Sequence, residues 1–255
     1  MAPSPSRAMS DRPAVTLSAR APSRLRVQGN RPCHGCSYHG CDIIQSVVFT
    51  RKPRSTKSNM TWQQEFWSWM SPSRVPTAEP PAVGEKAPST HKLTVPKDGK
   101  PTIVAFLRHC GCPFAEKTFL NLRDAAAANP NVQFIAVSHS DQDSTDRWLA
   151  SLPDTSKNTQ ANLDVVVDAE REAYGAYGLG VSSFMHVVSL AGLSNLNKLG
   201  KEEGIWNRPT ESGNRWQTGG NYGIDRNGTV QWSGKHERAD DMSDFKEGVA
   251  LVTAH

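Results

Sequence analysis

The sequence predicts an α/β domain: a central mixed sheet with helices on its faces. Three observations predict it. Short apolar runs alternate with helix-period segments from Pro101 onward, two late strand-like runs are joined by a tight polar turn, and an amphipathic segment follows them. In order, "TIVAFLR" (Thr102 to Arg108) is a continuous apolar run of strand length, as an interior strand covered on both faces requires. After Cys112, Ala115, Phe119, Leu122 and Ala126 recur at helical spacing, and "ANPN" stops the pattern. "VQFIAVS" (Val132 to Ser138) is a second strand, "DSTDRWLASL" (Asp143 to Leu152) a second helix and "LDVVVD" (Leu163 to Asp168) a third strand. "REAYGAYGL" then reads as a short helix closing on glycine.

Val181 to Gly219 forms an irregular insertion, helical over part of "SFMHVVSLAGLSNLNKLG" and loop-like over "IWNRPTESGNRWQTGG". "NYGIDRNGTVQWSG" reads as a hairpin around Asp-Arg-Asn-Gly, and Asp240 to Val252 as a last amphipathic helix. The order βαβαβα, insertion, ββα is that of a thioredoxin-like sandwich with an antiparallel hairpin at its end. Internal repeats are absent.

Composition divides the 255 residues further. Residues 1–59 hold ten Lys and Arg against two Asp, a net charge of +8, whereas the remainder holds 19 against 23, a net of −4. The mildly acidic body argues against a nucleic-acid-binding surface. The leader, rich in Ser, Arg and Pro, is expected to be disordered; residues 60–95 are expected to form a short helix ("MTWQQEFWSWM") and a Pro-rich arm, and residues 96–255 the thioredoxin-like domain. An Arg-rich, acid-poor leader also suits a mitochondrial transit peptide, although its prolines would interrupt the required helix, so the cytoplasm is the default and the mitochondrion the alternative. No stretch is long and apolar enough to span a membrane. In "CHGCSYHGC" (Cys33 to Cys41) the ligand spacing does not suit a zinc knuckle pair, and no metal or cofactor is expected.

Chemistry concentrates in "FLRHCGCPFAEKTF" (Phe106 to Phe119). Cys112 falls at the start of a helix and Pro113 at its first position, where the missing N–H costs nothing. A thiolate there meets unpaired N–H groups and the positive end of the helix dipole, which makes Cys112 the candidate nucleophile. Arg108, His109 and Lys117 are close enough in sequence to add charge. Cys110 is either the last residue on the strand side or a redox partner, and a Cys110–Cys112 disulfide would close a small, strained, easily reduced ring. The alternative for both is that of small buried hydrophobes. Among lesser candidates, His236 and Arg238 belong to a site or to a solvated turn, Trp206 and Trp216 wall a cleft or anchor a loop, Gly219 and Gly220 serve backbone geometry or close approach to the thiolate, and "GLGVSS" lacks the pattern of a phosphate loop.

"GKPTIVAFLRHCGCPFAEKTFLNL", "VVVDAEREAYGAYGLG" and "RWQTGGNYGIDRNGTVQW" resemble the peroxiredoxin-like, thioredoxin-like proteins of the AhpC/TSA antioxidant family, in the type found in fungi. The resemblance runs from about Trp62 to Val252 and places the family's reactive cysteine on Cys112. His109 stands where typical members have Thr or Ser, Ala115 where related proteins often carry a second Cys, and Arg215 is the nearest candidate for their thiolate-binding Arg. The resemblance implies a thiol-dependent oxidoreductase that reduces a hydroperoxide through Cys112, with Cys110 or an external thiol such as glutathione or thioredoxin resolving the sulfenic acid. Arg108, His109, Pro113 and Arg215 are the expected substrate-binding residues. The rivals are a glutathione-linked thiol transferase and a thioredoxin-fold binding module without turnover. Oligomeric state is not legible.

Overall fold

The computed structural model of the protein describes residues 74–182, 190–209, 212–242 and 244–254. The leader, the tryptophan-rich segment at 62–70 and the Cys33 to Cys41 cluster lie outside the described residues. Among the described residues no helix is long and apolar enough to cross a membrane.

Five strands form one sheet in the order β3-β2-β1-β4-β5. β1 (Thr102–Phe106), β2 (Gln133–Ser138) and β3 (Leu163–Val167) run parallel, while β4 (Gly220–Ile224) lies antiparallel to β1 and β5 (Val230–Lys235) antiparallel to β4. The parallel strands are joined by α1 (Pro113–Ala128) and α2 (Gln142–Ser151). α3 (Glu172–Ala176) follows β3, α4 (Leu190–Glu203) lies in the insertion, and α5 (Phe245–Thr253) follows the hairpin. This is the thioredoxin-like arrangement expected from the element order.

Both faces of the central strands are apolar, and the pleat sends alternate residues to two cores. Ile103 and Ala105 of β1 with Phe134 and Ala136 of β2 join Phe119, Leu122, Trp148, Val249 and Val252 under α1, α2 and α5. Val104, Phe106, Ile135 and Val137 face the other way, onto Tyr174, Tyr177, Tyr222, Leu93 and Val95. Phe119 and Leu122 are fully buried, each contributing about 1.5–3 kcal/mol by leaving water. The Pro-rich arm pairs with the hairpin: Gly84 N–H donates to Val230 O, Val230 N–H to Glu85 O and Ala87 N–H to Gly228 O, at 2.8–2.9 Å.

Helix boundaries follow their caps. Asp141 accepts from Ser144 N–H at 2.7 Å, starting α2 one residue before the expected Asp143. β3 ends at Val167 because the Asp168 carboxylate turns to the N–H groups of Glu172 and Ala173, at 3.1 and 2.8 Å. The last helix begins at Phe245 rather than Asp240. Asp240 is held by the Arg238 and Asn195 side chains, and Asp244 caps the helix instead, accepting from Lys246 N–H at 3.0 Å.

Candidate active site

The site lies where β1 leaves the sheet. Leu107 N–H still donates to Val137 O at 2.9 Å, and the Tyr174 hydroxyl lies 2.6 Å from Leu107 O and 2.7 Å from Val137 O, so the chain is held up to the residue before Arg108. It then reverses in a turn from His109 to Cys112, closed by Cys112 N–H donating to His109 O at 3.1 Å. Gly111 sits third in the turn with φ +100°, a conformation that a β-carbon penalises, and a methyl there would lie 2.7 Å from Pro209 O. The glycine between the two cysteines thus serves both the turn and the close passage of the insertion, whose Arg208 N–H donates to Gly111 O at 2.9 Å.

Cys112 is the N-cap of α1, with extended backbone (φ −74°, ψ 126°) and no side-chain cap hydrogen bond, and Pro113 occupies the first helical position. The first turn therefore keeps its dipole and N–H groups beside the sulfur. Arg108 Nη1 donates to Cys112 Sγ at 3.6 Å while Nη2 donates to Arg215 O at 2.6 Å. Arg215 thus meets the guanidinium through its backbone carbonyl, on a buried stretch whose own side-chain pKa is lowered by desolvation. Of the nearby cations named from sequence, Arg108 reaches the sulfur. Lys117 points to Glu203 at 2.5 Å. His109 is buried, and desolvation followed by the Arg108 charge holds its pKa down to about 3; the neutral ring donates through Nδ1 to Cys110 O at 3.1 Å.

Cys110 faces elsewhere. Its sulfur lies 3.7 Å from Ser138 Oγ and 3.8 Å from Thr145 Oγ1, and its N–H donates to Ser140 Oγ at 3.1 Å. Burial pushes the thiol pKa up, partly opposed by hydrogen bonding with Ser140, Ser138 and Thr145. Cys110 also borders a cavity of about 220 Å³ shared with Ser144, Arg147, Trp148 and Arg208. The Arg208 guanidinium is anchored by the buried Glu116 carboxylate at 3.0 Å; burial raises the Glu116 pKa and the Arg208 charge opposes the rise.

Sequence reasoning missed Glu116, Arg208, Tyr174, His139 and the Ser138–Ser140 segment. The last carried a signal, since polar residues at the carboxyl end of a parallel strand stand where α/β sheets place their sites. His139 is buried and held neutral, its pKa lowered to about 4 chiefly by desolvation, and it accepts from Asn214 N–H at 3.0 Å. His236 is buried rather than solvated, 2.7 Å from Asn221 Nδ2. Trp206 lies over Gly200 of α4 and Trp216 is buried, so the cavity wall is Trp148 instead. Among the described residues no cluster of three His, Cys, Asp or Glu could hold a metal.

The site thus consists of a thioredoxin-like sheet with a cysteine at the N-cap of the helix that follows its central strand. The resemblance read from the sequence agrees with the comparisons: residues 120–238 match the family model described as AhpC/TSA antioxidant enzyme. The match begins after both cysteines. No curated protein matches the chain. Solved structures similar to it include a peroxiredoxin-like protein from Aquifex aeolicus (16% identity, covering 71% of this chain and 89% of that one, TM-score 0.46). A thiol peroxidase from Chromobacterium violaceum shows 13% identity, coverages of 71% and 90%, and a TM-score of 0.41. Mycobacterium tuberculosis AhpC shows 15%, coverages of 70% and 98%, and 0.40.

Proposed function

We propose that the protein reduces hydroperoxides, with Cys112 as the nucleophile. The observation that carries the reading is the Arg108 guanidinium donating to Cys112 Sγ at an N-cap with no side-chain cap bond. A cation and the N–H groups of a helix N-terminus lie beside one sulfur, the place where the charge of an attacking sulfur would be met. The Cys112 thiolate attacks the outer peroxide oxygen; an S–O bond forms, the O–O bond breaks, and the departing alkoxide or hydroxide takes up a proton. Arg108, already at the sulfur, offers its N–H groups to the charge that moves onto the oxygens.

The resulting sulfenic acid condenses with the Cys110 thiol, forming an S–S bond and releasing water, or is taken by an external thiol such as glutathione or thioredoxin. The Cys110 and Cys112 sulfurs engage different partners in the reduced protein, so the intramolecular route requires the turn at Gly111 to readjust. The neutral His109 gives the turn a donor rather than a charge.

The test is dimedone trapping after one equivalent of hydrogen peroxide, read by mass spectrometry. The expected result is a sulfenic acid on Cys112. Stoichiometric persistence of both thiols would support a binding module, and turnover of a glutathione mixed disulfide without peroxide consumption would support the transferase.

A further inference from the structure

His139 takes no part in the peroxide chemistry, yet it stands just past the carboxyl end of β2 with its ring buried and both nitrogens engaged. Nδ1 lies 3.4 Å from the Tyr174 hydroxyl, and Nε2 lies 3.0 Å from Asn214 N and 3.2 Å from Asn214 O. The ring is neutral, so with its proton on Nδ1 the Nε2 lone pair takes the Asn214 N–H. The junction is tight: Gly213 has φ +86°, and a methyl there would lie 3.1 Å from His139 Nε2 and 3.0 Å from Ser140 Oγ. Asp141 N–H adds a donor to Ser212 Oγ at 2.9 Å, so the 212–214 segment is pressed onto the end of β2.

Beyond Asn214 the chain makes a turn closed on that same residue. Trp216 N–H donates to Asn214 Oδ1 at 2.9 Å and Gln217 N–H to Asn214 O at 3.1 Å. Arg215 lies inside the turn, and its carbonyl is the oxygen to which Arg108 Nη2 donates at 2.6 Å while Nη1 donates to Cys112 Sγ at 3.6 Å. A guanidinium is a rigid planar fork, so fixing one nitrogen on a carbonyl fixes where the other points. The Arg215 oxygen therefore aims the group that faces the sulfur, and His139 holds the residue before that oxygen.

We propose that His139 is a positioning residue: by clasping the Asn214 backbone it places the Arg215 carbonyl, and through that carbonyl it holds the Arg108 guanidinium at Cys112. The inference rests on the hydroperoxide-reduction reading and adds to it a residue that touches neither sulfur nor peroxide. Tyr174 completes the arrangement, since its hydroxyl lies 2.6 Å from Leu107 O and so ties the same ring to the residue before Arg108. Both ends of Arg108, its backbone and its fork, are thereby referred to one imidazole.

The test is a double-mutant cycle on the full-length protein. His139→Phe keeps an aromatic ring against Tyr174, whose centroid lies 5.2 Å away in the wild type, and removes the acceptor. His139→Gln puts an amide where Nε2 stands. His139→Asn, whose amide is too short to reach Asn214, replaces the phenylalanine variant should that fail to fold. Each is made alone and together with Arg108→Met, and the second-order rate constant for hydrogen peroxide is measured by stopped flow. His139→Phe is expected to slow the reaction about tenfold alone and by less than about twofold in the Arg108→Met protein, while His139→Gln restores most of the rate. A residue that served only the fold would slow both backgrounds alike. Equal slowing in the two backgrounds, no slowing in folded His139→Phe, or a His139→Gln protein as slow as His139→Phe would each overturn the proposal. The guanidinium NMR signals of Arg108, assigned with Arg108→Met in protein carrying isotope-labelled arginine, read the clasp without peroxide. They are expected to move in His139→Phe and to return in His139→Gln, and signals unmoved in His139→Phe would overturn the proposal. Signals that follow this course in a protein whose wild type shows no fast oxidation would refute the peroxidase reading alone.

Discussion

Replacing Arg108 by Met removes the guanidinium while keeping an unbranched side chain of similar reach. Two hydrogen bonds disappear: the 3.6 Å contact to Cys112 Sγ and the 2.6 Å bond to Arg215 O. A hydrogen bond to a charged group contributes about 1.5–3 kcal/mol, and about 1.4 kcal/mol corresponds to a factor of ten. Loss of the sulfur contact therefore slows oxidation of Cys112 about 10- to 150-fold. Loss of the second bond leaves the buried Arg215 carbonyl without this donor, at about 1–3 kcal/mol of stability. Arg108→Lys falls between wild type and Arg108→Met, because one ammonium lacks the planar fork that serves both acceptors. The assay is the second-order rate constant for hydrogen peroxide by stopped flow, paired with a thermal melt of each variant. A folded Arg108→Met protein whose rate constant stays within twofold of wild type would refute the role assigned to the guanidinium.

Gly111→Ala forces a β-carbon into a φ of +100° and to within 2.7 Å of Pro209 O; the backbone strain alone costs about 1–3 kcal/mol. A lowered melting temperature and slower peroxide reaction are expected, and an unchanged melt would contradict the turn geometry. Acidification should destabilise the fold through His109 and His139, whose pKa values are lowered to about 3 and about 4. Unfolding lets both rings take up protons below their ordinary pKa near 6.5, so stability is full above that pH and falls toward pH 4, by up to about 2.7 kcal/mol per pH unit where both contribute. Urea titrations between pH 7 and 4 check this, and a midpoint independent of pH over that range would contradict the buried neutral state. Removal of residues 1–59 should leave the thermal transition unchanged, whereas removal of 1–95 also deletes the buried Leu93 and Val95, at about 1.5–3 kcal/mol for each fully buried side chain. Equal melting temperatures for the two truncated chains would refute the arm's contribution.

The sheet was legible because each element carries its own pattern. β1 and β2 are continuous apolar runs, α1 repeats at Ala115, Phe119, Leu122 and Ala126, and the β4–β5 hairpin announces its turn. Boundaries were less legible where an acidic residue has several possible partners. Asp240 and Asp244 both suit a helix cap, and only the spatial neighbours Arg238 and Asn195 decide that Asp240 is used otherwise. In the site, the placement of Cys112 before Pro113 followed from local helix chemistry. The distinct surroundings of Cys110 did not, since Ser138, Thr145 and Arg208 approach it from distant parts of the chain. Burial also removes the charge that sequence proximity suggested for His109, and burial is a property of the assembled fold.

The central claim is that Cys112, not Cys110, meets the peroxide. Stopped-flow oxidation of Cys112→Ser and Cys110→Ser by hydrogen peroxide tests it most directly. Cys112→Ser is expected to lose the fast first phase, because a serine hydroxyl does not form an appreciable anion at neutral pH, while Cys110→Ser keeps that phase and is slowed only in recycling. A fast first phase retained in Cys112→Ser and lost in Cys110→Ser would contradict it.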